Sequence, residues 1–178
     1  KKLKKNIVDD ISFGAIVKIR DDLLSMQRQG KRVYRMESGD PSFDVPDHVK
    51  NAIIDALKNN RTHYTDSTGI PELREAIAQK LQKKNGINAT KDEVLVTNGG
   101  MNSLYVTFRA LLSKNERVII PDPMWTEIGE NIKLSLGIPL PVDVFSYVEN
   151  IEGMNLKNVR AIFINSPHNP TGKVFSEN

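Results

Sequence analysis

Cysteine is absent from the 178-residue sequence, which excludes disulfides and metal sites built on thiolates. Long apolar runs are absent too, since none approaches the roughly 18 residues that a membrane-spanning helix needs. The lysine-rich first five residues are not followed by the apolar core of a secretory signal. Together these absences predict a cytoplasmic chain with no membrane partner.

A large excess of one charge is also missing, because 25 Lys and Arg stand against 22 Asp and Glu and leave a formal charge of +3. The lysines of the first five residues have no aromatic side chain among them, so nucleic acid is not an expected partner. The histidines His48, His63 and His168 show no spacing typical of a shared metal or a proton relay. We therefore predict no metal site and interpret His168 as a structural residue.

Hydrophobic residues make up 39% of the sequence, enough for one ordinary core, and their spacing predicts helices and strands. Helical periodicity marks five segments: Ala15–Gln29, Val49 to Leu57, Pro71 to Gly86, Leu104 to Leu112 and Ile128 to Leu136. Strands are predicted at Val94–Thr97, Val118–Ile120 and Ala161–Ile164, with a weaker β-like stretch around Val33. Runs that are apolar at every residue indicate strands buried on both faces, hence an α/β fold with a largely parallel sheet covered by helices.

Ligands of open α/β sheets bind outside the carboxyl ends of the strands, so we expect chemistry in the loops that follow the predicted strands. Gly99 and Gly100 open a helix, where N–H groups and the helix dipole favour a phosphate, although two adjacent glycines more often form a plain turn. Trp125, the only tryptophan, either fills the core or presents its ring to a flat ligand. The third loop, Asn165–Gly172, is a turn whose role as a site stays open.

Five sequence elements, taken in order, carry a family resemblance. They are Ser38–Pro41 (Ser-Gly-Asp-Pro), His63–Thr65 with Gly69–Arg74 behind it, Gly99–Gly100, Pro123–Trp125 (Pro-Met-Trp) and Asn165–Gly172, which contains Asn-Pro-Thr-Gly. From about Ile11 to its last residue the sequence resembles the class I/II aminotransferases, which are pyridoxal-phosphate enzymes of fold type I, and most of all their aspartate-aminotransferase-like branch.

The resemblance implies an α/β/α sandwich with a largely parallel sheet, of which this chain is an N-terminal portion, together with an N-terminal helical segment. It places residues 1–45 in the arm and helix of the small domain. Residues 46–178 then form the first, incomplete portion of the cofactor-binding large domain.

The resemblance also assigns contacts to the cofactor, pyridoxal 5'-phosphate. Backbone amides of Gly99, Gly100 and Met101 would hold the phosphate, as backbone N–H groups do in other phosphate sites. Trp125 would stack on the pyridine ring. Asn169 would hydrogen-bond the phenolic oxygen of the ring, with a cis proline following it. The Gly-Gly-Met sequence departs from Gly-Ala-Lys or Ser-Gly-Thr, which are commoner at the phosphate, and so offers no side-chain donor there.

Further contacts implied by the resemblance lie earlier in the chain. Tyr64 would reach across a dimer interface to the phosphate of the neighbouring subunit's cofactor. The backbone of Gly39 would meet the substrate carboxylate, in a Ser-Gly-Asp-Pro context where Gly-Glu-Pro is commoner. Ile11 and Ser12 are candidates for lining the substrate pocket.

No catalytic residue is assigned within the sequence. In relatives the lysine that forms the Schiff base, the acid that keeps the pyridine nitrogen protonated and the arginine that grips the substrate carboxylate all follow the Asn-Pro-Thr-Gly element. The Schiff-base lysine is therefore expected beyond Asn178. Lys173 lies within that element and is not that lysine, so the 178 residues alone are expected to be inactive.

The implied activity of the full-length protein is that of a pyridoxal-phosphate-dependent aminotransferase (EC 2.6.1.-) in amino acid metabolism and biosynthesis. It would transfer an amino group from an amino acid to a 2-oxo acid, in a homodimer. The first alternative is a lyase or synthase of the same fold. The second is a non-catalytic aminotransferase-like domain, as in some transcription regulators. A nucleotide-binding domain ranks last because the Gly-Gly loop lacks the G-x-G-x-x-G spacing and a Walker lysine.

Overall fold

The computed structural model of the protein describes residues 6–12 and 14–176. The chain divides into two compact units. The first unit comprises the described residues up to Ser25 and those from Gly99 onward, and the second comprises Met26–Asn98. None of the described helices combines the length and the apolar character that crossing a membrane requires.

Helices and short strands alternate along the chain. The helices are α1 (Ala15–Arg28), α2 (Asp47–Lys58), α3 (Pro71–Asn85), α4 (Gly100–Leu111), α5 (Thr126–Leu134) and α6 (Tyr147–Glu152). The strands are β1 (Arg117–Asp122), β2 (Ile138–Asp143) and β3 (Val159–Ile162). Turns of 3-10 helix cover Ile7–Asp10, Lys91–Glu93 and Val144–Ser146. Each segment with predicted helical periodicity therefore contains a helix.

The first unit is organised around β1, which lies at the centre of a parallel sheet in the order β2-β1-β3. Val118 and Ile120 point to one face, where they pack with side chains of α4 and α5 such as Phe108 and Ile132. Ile119 points to the other face and packs with Val142 and Tyr147. Because successive strand residues alternate between faces, a run that is apolar throughout fills both layers. The predicted helix-covered parallel sheet is therefore present.

Strand β2 was not anticipated from the sequence because two of its six residues are prolines. Proline has no N–H to donate and is depleted in strands. Ile138 N–H donates to the carbonyl of Glu116 at 2.9 Å, so the alternate positions Pro139 and Pro141 turn their nitrogens away from β1. Among the described strands β2 pairs with β1 alone. It is thus an edge strand, where proline is tolerated.

The predicted strand Val94–Thr97 is wrong, because this segment joins no sheet in the structure. It runs extended and is fixed by a hydrogen bond from the Val96 N–H to the carbonyl of Thr68 at 2.9 Å. Val96 packs so closely on Gly69 that a Cβ there would lie 2.5 Å from its Cγ2. β-Branched residues favour an extended backbone, but a strand also needs backbone hydrogen bonds to a neighbouring strand. The stretch around Val33 likewise forms no strand.

In the second unit, Arg74 of α3 ties the helix to the 3-10 turn and the extended segment. Its Nε donates to the carbonyls of Lys91 and Val94 at 3.0 and 3.1 Å. Its Nη2 lies 3.3 Å from a carboxylate oxygen of Asp92. The Arg74 side chain is only 14% exposed and its bond to Val94 is partly buried, whereas Asp92 is 80% exposed. These bonds hold together the stretch that leads to Gly99.

Candidate cofactor site

The N-terminus of α4 has the conformation and the open space that an anion requires. Gly99 precedes the helix with φ of 84°, a value that side-chain-bearing residues rarely adopt, and Gly100 is the first helical residue. A Cβ built on either glycine would meet no atom within 4 Å. The first turn carries no acidic residue. The N–H groups of Gly100 and Met101 have no acceptor within the helix, so they and the dipole can bind a negative group.

Met101 offers its backbone to this turn, while its side chain belongs to the core. The side chain is partly buried and packs against the cluster that contains Val118 and Ile132. Its Sδ lies 2.7 Å from Nδ2 of Asn131, and that nitrogen also donates to the carbonyl of Glu127 at 2.8 Å. Asn131 therefore fixes the first turn of α4 against α5. No role for this residue was predicted from the sequence.

Trp125 lies at the start of α5, directly after the loop that leaves β1. That loop contains a cis Asp122–Pro123 peptide bond. The indole is partly buried against the same hydrophobic cluster as Met101, so the interpretation of Trp125 as a core residue holds in part, while its stacking on a ligand stays a prediction. Trp125, the candidate for ring stacking, and the first turn of α4 therefore pack against the same hydrophobic cluster.

Asn169 lies in the loop that follows β3, with cis bonds at Ser166–Pro167 and Asn169–Pro170. The cis proline after Asn169 was predicted and is confirmed. Asn169 is exposed, and its backbone N–H donates to Oδ1 of Asn165 at 2.8 Å. Because β1 and β3 are parallel neighbours, their carboxyl ends meet at one edge of the sheet. The loops that carry Trp125 and Asn169 therefore leave the sheet at that same edge.

His168 and Lys173, the titratable residues of this loop, are both engaged in holding it. The His168 ring is 2% exposed, and its Nδ1 shares a 2.8 Å hydrogen bond with Oγ1 of Thr171. Burial, and then the positive charge of Lys173, hold the pKa of His168 below its usual value. Lys173 Nζ donates to the carbonyls of Val144 and Phe145 at 2.6 and 2.9 Å. These contacts support the structural interpretation of His168 and leave Lys173 no role as the missing lysine.

The N-terminal segment contributes to a cavity of about 220 Å³ beside α5. Ser12 donates from its backbone N–H and its hydroxyl to the Glu130 carboxylate, each at 3.3 Å. Glu130 also pairs with Lys133 at 2.8 Å. The cavity is lined by Ile11, Ser12, Gly14, Val17, Met101, Thr126, Glu127, Glu130, Asn131 and Leu134. Ile11 and Ser12 therefore line a cavity together with the first turns of α4 and α5.

Tyr64 and Gly39 belong to the second unit. The Tyr64 side chain is fully exposed, in an open depression formed with Thr62, His63 and Thr65. Gly39 is exposed as well, and a Cβ at this position would meet no atom within 4 Å. Both residues are accessible to a ligand or to another chain. Their predicted contacts stay predictions.

The chain matches a known protein family over most of its length. The sequence profile of the aminotransferase class I and II family matches residues 31–178, well over half of the chain. The chain therefore belongs to the class I and II aminotransferases, and the resemblance drawn from the sequence motifs is confirmed.

Aspartate aminotransferases and aspartate/prephenate aminotransferases are among the proteins similar to this chain. A probable aspartate/prephenate aminotransferase of Thermus aquaticus is 36% identical over 96% of this chain and 46% of its own length. The aspartate/prephenate aminotransferase of Thermus thermophilus is 35% identical over 90% of this chain and 43% of its own length. A probable aspartate aminotransferase of Streptomyces griseus is 33% identical, and the match covers 81% of that protein. The chain thus spans less than half the length of the first two relatives.

Solved structures extend the agreement to the fold. Aspartate aminotransferase from Thermus thermophilus with maleate superposes with a TM-score of 0.93 at 32% identity, covering 99% of this chain and 48% of that one. Alanine aminotransferase from Pyrococcus furiosus gives 0.90 at 28% identity, covering 98% of this chain and 47% of that one. The predicted fold class, a partial α/β fold of type I, is therefore confirmed.

Proposed function

We propose that the protein to which this chain belongs is a pyridoxal-phosphate-dependent aminotransferase of the aspartate-aminotransferase type. Enzymes of this family depend on pyridoxal phosphate. The observation that carries the proposal is the α4 N-terminus, where an acid-free, glycine-opened turn shares one hydrophobic cluster with Trp125. Pyridoxal phosphate carries both a phosphate, which matches the turn, and an aromatic ring, which matches Trp125.

The residues present fit this cofactor. The amides of Gly99, Gly100 and Met101 would bind its phosphate, because the turn leaves open space where side chains would otherwise stand. The indole of Trp125 would orient the ring by stacking. The exposed amide of Asn169 would donate to the phenolic oxygen and favour its ionised form. Tyr64 and Gly39 would meet a neighbouring cofactor's phosphate and the substrate carboxylate.

When bound, pyridoxal phosphate supplies an electron sink that stabilises negative charge at the substrate Cα. The contribution of this chain would be to hold and orient the ring, because Met101 at the start of α4 and Trp125 pack against one hydrophobic cluster. Binding the phosphate by backbone N–H groups requires no side-chain charge. The anchored position would restrict the ring before substrate arrives.

The remaining assignments complete the proposal. The substrates would be an amino acid and a 2-oxo acid, the assembly a homodimer, and the compartment the cytoplasm. Residues 1–45 would belong to the small domain and residues 46–178 to the cofactor-binding domain. The exposed Tyr64 side chain supports a role at a subunit interface, because it is free to contact a second chain.

A direct test titrates the 178-residue chain with pyridoxal phosphate. We expect quenching of the fluorescence of Trp125, the only tryptophan, and no single lysine that is stoichiometrically labelled after borohydride reduction. Intact mass near 20.0 kDa confirms the sample. Absence of quenching, or equal quenching by pyridoxal without phosphate, would contradict the proposed binding of the phosphate by the amides of Gly99, Gly100 and Met101.

The full-length protein separates the chemical alternatives. Amino-group transfer from an amino acid to a 2-oxo acid, followed by product analysis, supports the aminotransferase. Release of a thiol or formation of a cyclised product would instead indicate a lyase or synthase of the same fold. Cofactor binding without any turnover would indicate a non-catalytic domain.

A further inference from the structure

His168 is the one buried residue of the described segment 164–176. The residues on either side of it, Pro167 and Asn169, are exposed. A histidine that is 2% exposed, in a loop whose other residues are exposed or only partly buried, has a packing role and a hydrogen-bonding role at once. The ring therefore anchors the loop to the body of the first unit.

Hydrogen bonds of His168 close the loop around Asn169. Its N–H donates to the carbonyl of Lys173, and its carbonyl accepts from the N–H of Gly172, each at 2.7 Å. The ring adds the 2.8 Å bond between Nδ1 and Oγ1 of Thr171. Backbone and ring of one residue thus bind three successive residues on the far side of the turn.

The far end of the turn is fixed independently. Lys173 Nζ donates to the carbonyls of Val144 and Phe145, which lie just after β2. The Lys173 N–H reaches Thr171 Oγ1 at 3.3 Å, so this hydroxyl joins the His168 ring to the fixed end. Asn169 therefore lies between two anchored points, and its backbone N–H is also bound to Asn165.

We propose that His168 is a positioning residue: the hydrogen bond from its buried side chain to Thr171 fixes the loop that presents the Asn169 side-chain amide. The cofactor contact of that amide rests on the proposed function, whereas the loop geometry does not. Nδ1 forms the bond to Thr171, while Nε2 is buried with no hydrogen-bond partner among residues 6–12 and 14–176. A side chain that supplies a polar atom at the δ position would therefore suffice for this role.

Two variants separate the hydrogen bond from the burial. His168→Asn keeps a polar atom at the δ position, and His168→Phe keeps an aromatic ring without it. His48→Asn, an exposed histidine of α2 in the second unit, is the matched control. Without ligand, we measure solvent exchange of the Gly172 and Asn169 N–H groups by NMR. With pyridoxal phosphate, we measure the affinity from Trp125 fluorescence.

We expect His168→Phe to speed exchange at both amides about fivefold and to weaken the affinity by a similar factor, as loss of one hydrogen bond implies. His168→Asn should remain within about twofold of the parent chain on both measures. Exchange in His168→Phe equal to that in His48→Asn would overturn the proposal. The proposal would also be overturned if His168→Phe exchanged faster but kept the affinity of the parent chain, while Asn169→Ala weakened cofactor binding. Should the parent chain bind no cofactor, the cofactor contacts proposed for this chain fail, and the ligand-free exchange alone decides the role of His168.

Discussion

Replacing Gly100 by aspartate should weaken cofactor binding while leaving the fold intact. Gly100 is exposed at the first position of α4, and a Cβ there meets no atom within 4 Å. The new carboxylate would fit without strain and would stand in the space assigned to the phosphate. Gly100→Asn, which has nearly the same size and no charge, is the matched control.

The size of the effect follows from the charges. A phosphate monoester carries about −1.5 to −2 charges near pH 7. At roughly 5 Å in a water-like medium, repulsion by one carboxylate amounts to about 0.8 kcal/mol per unit charge, hence about 1.5 kcal/mol or roughly tenfold in affinity. The same carboxylate in the first turn stabilises a helix by about 0.3–1 kcal/mol. Affinity and stability should therefore move in opposite directions.

Three measurements on each variant test this reasoning. Fluorescence titration of Trp125 gives the affinity for pyridoxal phosphate, and thermal unfolding gives the stability. Repeating the titration at high salt should reduce the gap between Gly100→Asp and Gly100→Asn, because exposed charges are screened. If the two variants bind equally well while Gly100→Asp is at least as stable, the phosphate does not lie at this turn.

Three further outcomes are expected. Ile132→Ala, at a fully buried position between α5 and β1, should lower the free energy of unfolding by about 2–5 kcal/mol in urea titrations, and a loss below 1 kcal/mol would contradict the packing described for this cluster. Arg74→Lys should destabilise the second unit by about 1–3 kcal/mol, because one ammonium cannot reach both carbonyls and Asp92, and unchanged amide exchange in α3 would refute this. The pKa of His168 lies below the ordinary value of about 6.5, so folding stability should be fullest above pH ~6.5 and fall as the pH drops towards the lowered pKa. His168→Asn should flatten this decline, and an identical pH profile in the two proteins would argue against it.

The helices and the sheet core were predictable because their residues repeat a single physical rule. Apolar spacing marks the helices, and Pro71 and Gly86 bound α3 as proline and glycine commonly do. The predictions that failed concern segments whose structure depends on pairing with strands distant in the chain. Val94–Thr97 has the composition of a strand but pairs with no ladder, whereas β2 has two prolines and is nevertheless recruited by its neighbour β1.

The candidate site was predictable where it depends on motif and strand order. The glycine turn, Trp125 and the Asn169 loop all follow from the sequence, and the cis bond before Pro170 is present. Asn131 could not be found in this way, because its contact with Met101 spans thirty residues and depends on how α4 packs on α5. The hydrogen bond of His168 with Thr171 was equally hidden, although a histidine in a proline-rich turn did indicate a structural role.

The shared hydrophobic cluster under Met101 and Trp125 makes the distance between the two elements that we propose to bind the cofactor a property of the core. A change of volume at Val118, Ile128 or Ile132 would shift the first turn of α4 and the Trp125 indole relative to each other, with no residue at the surface altered. If the proposed contacts hold, interior substitutions would then tune the cofactor affinity. Under that proposal, side chains that water never reaches would set the fit of a molecule that binds at the surface.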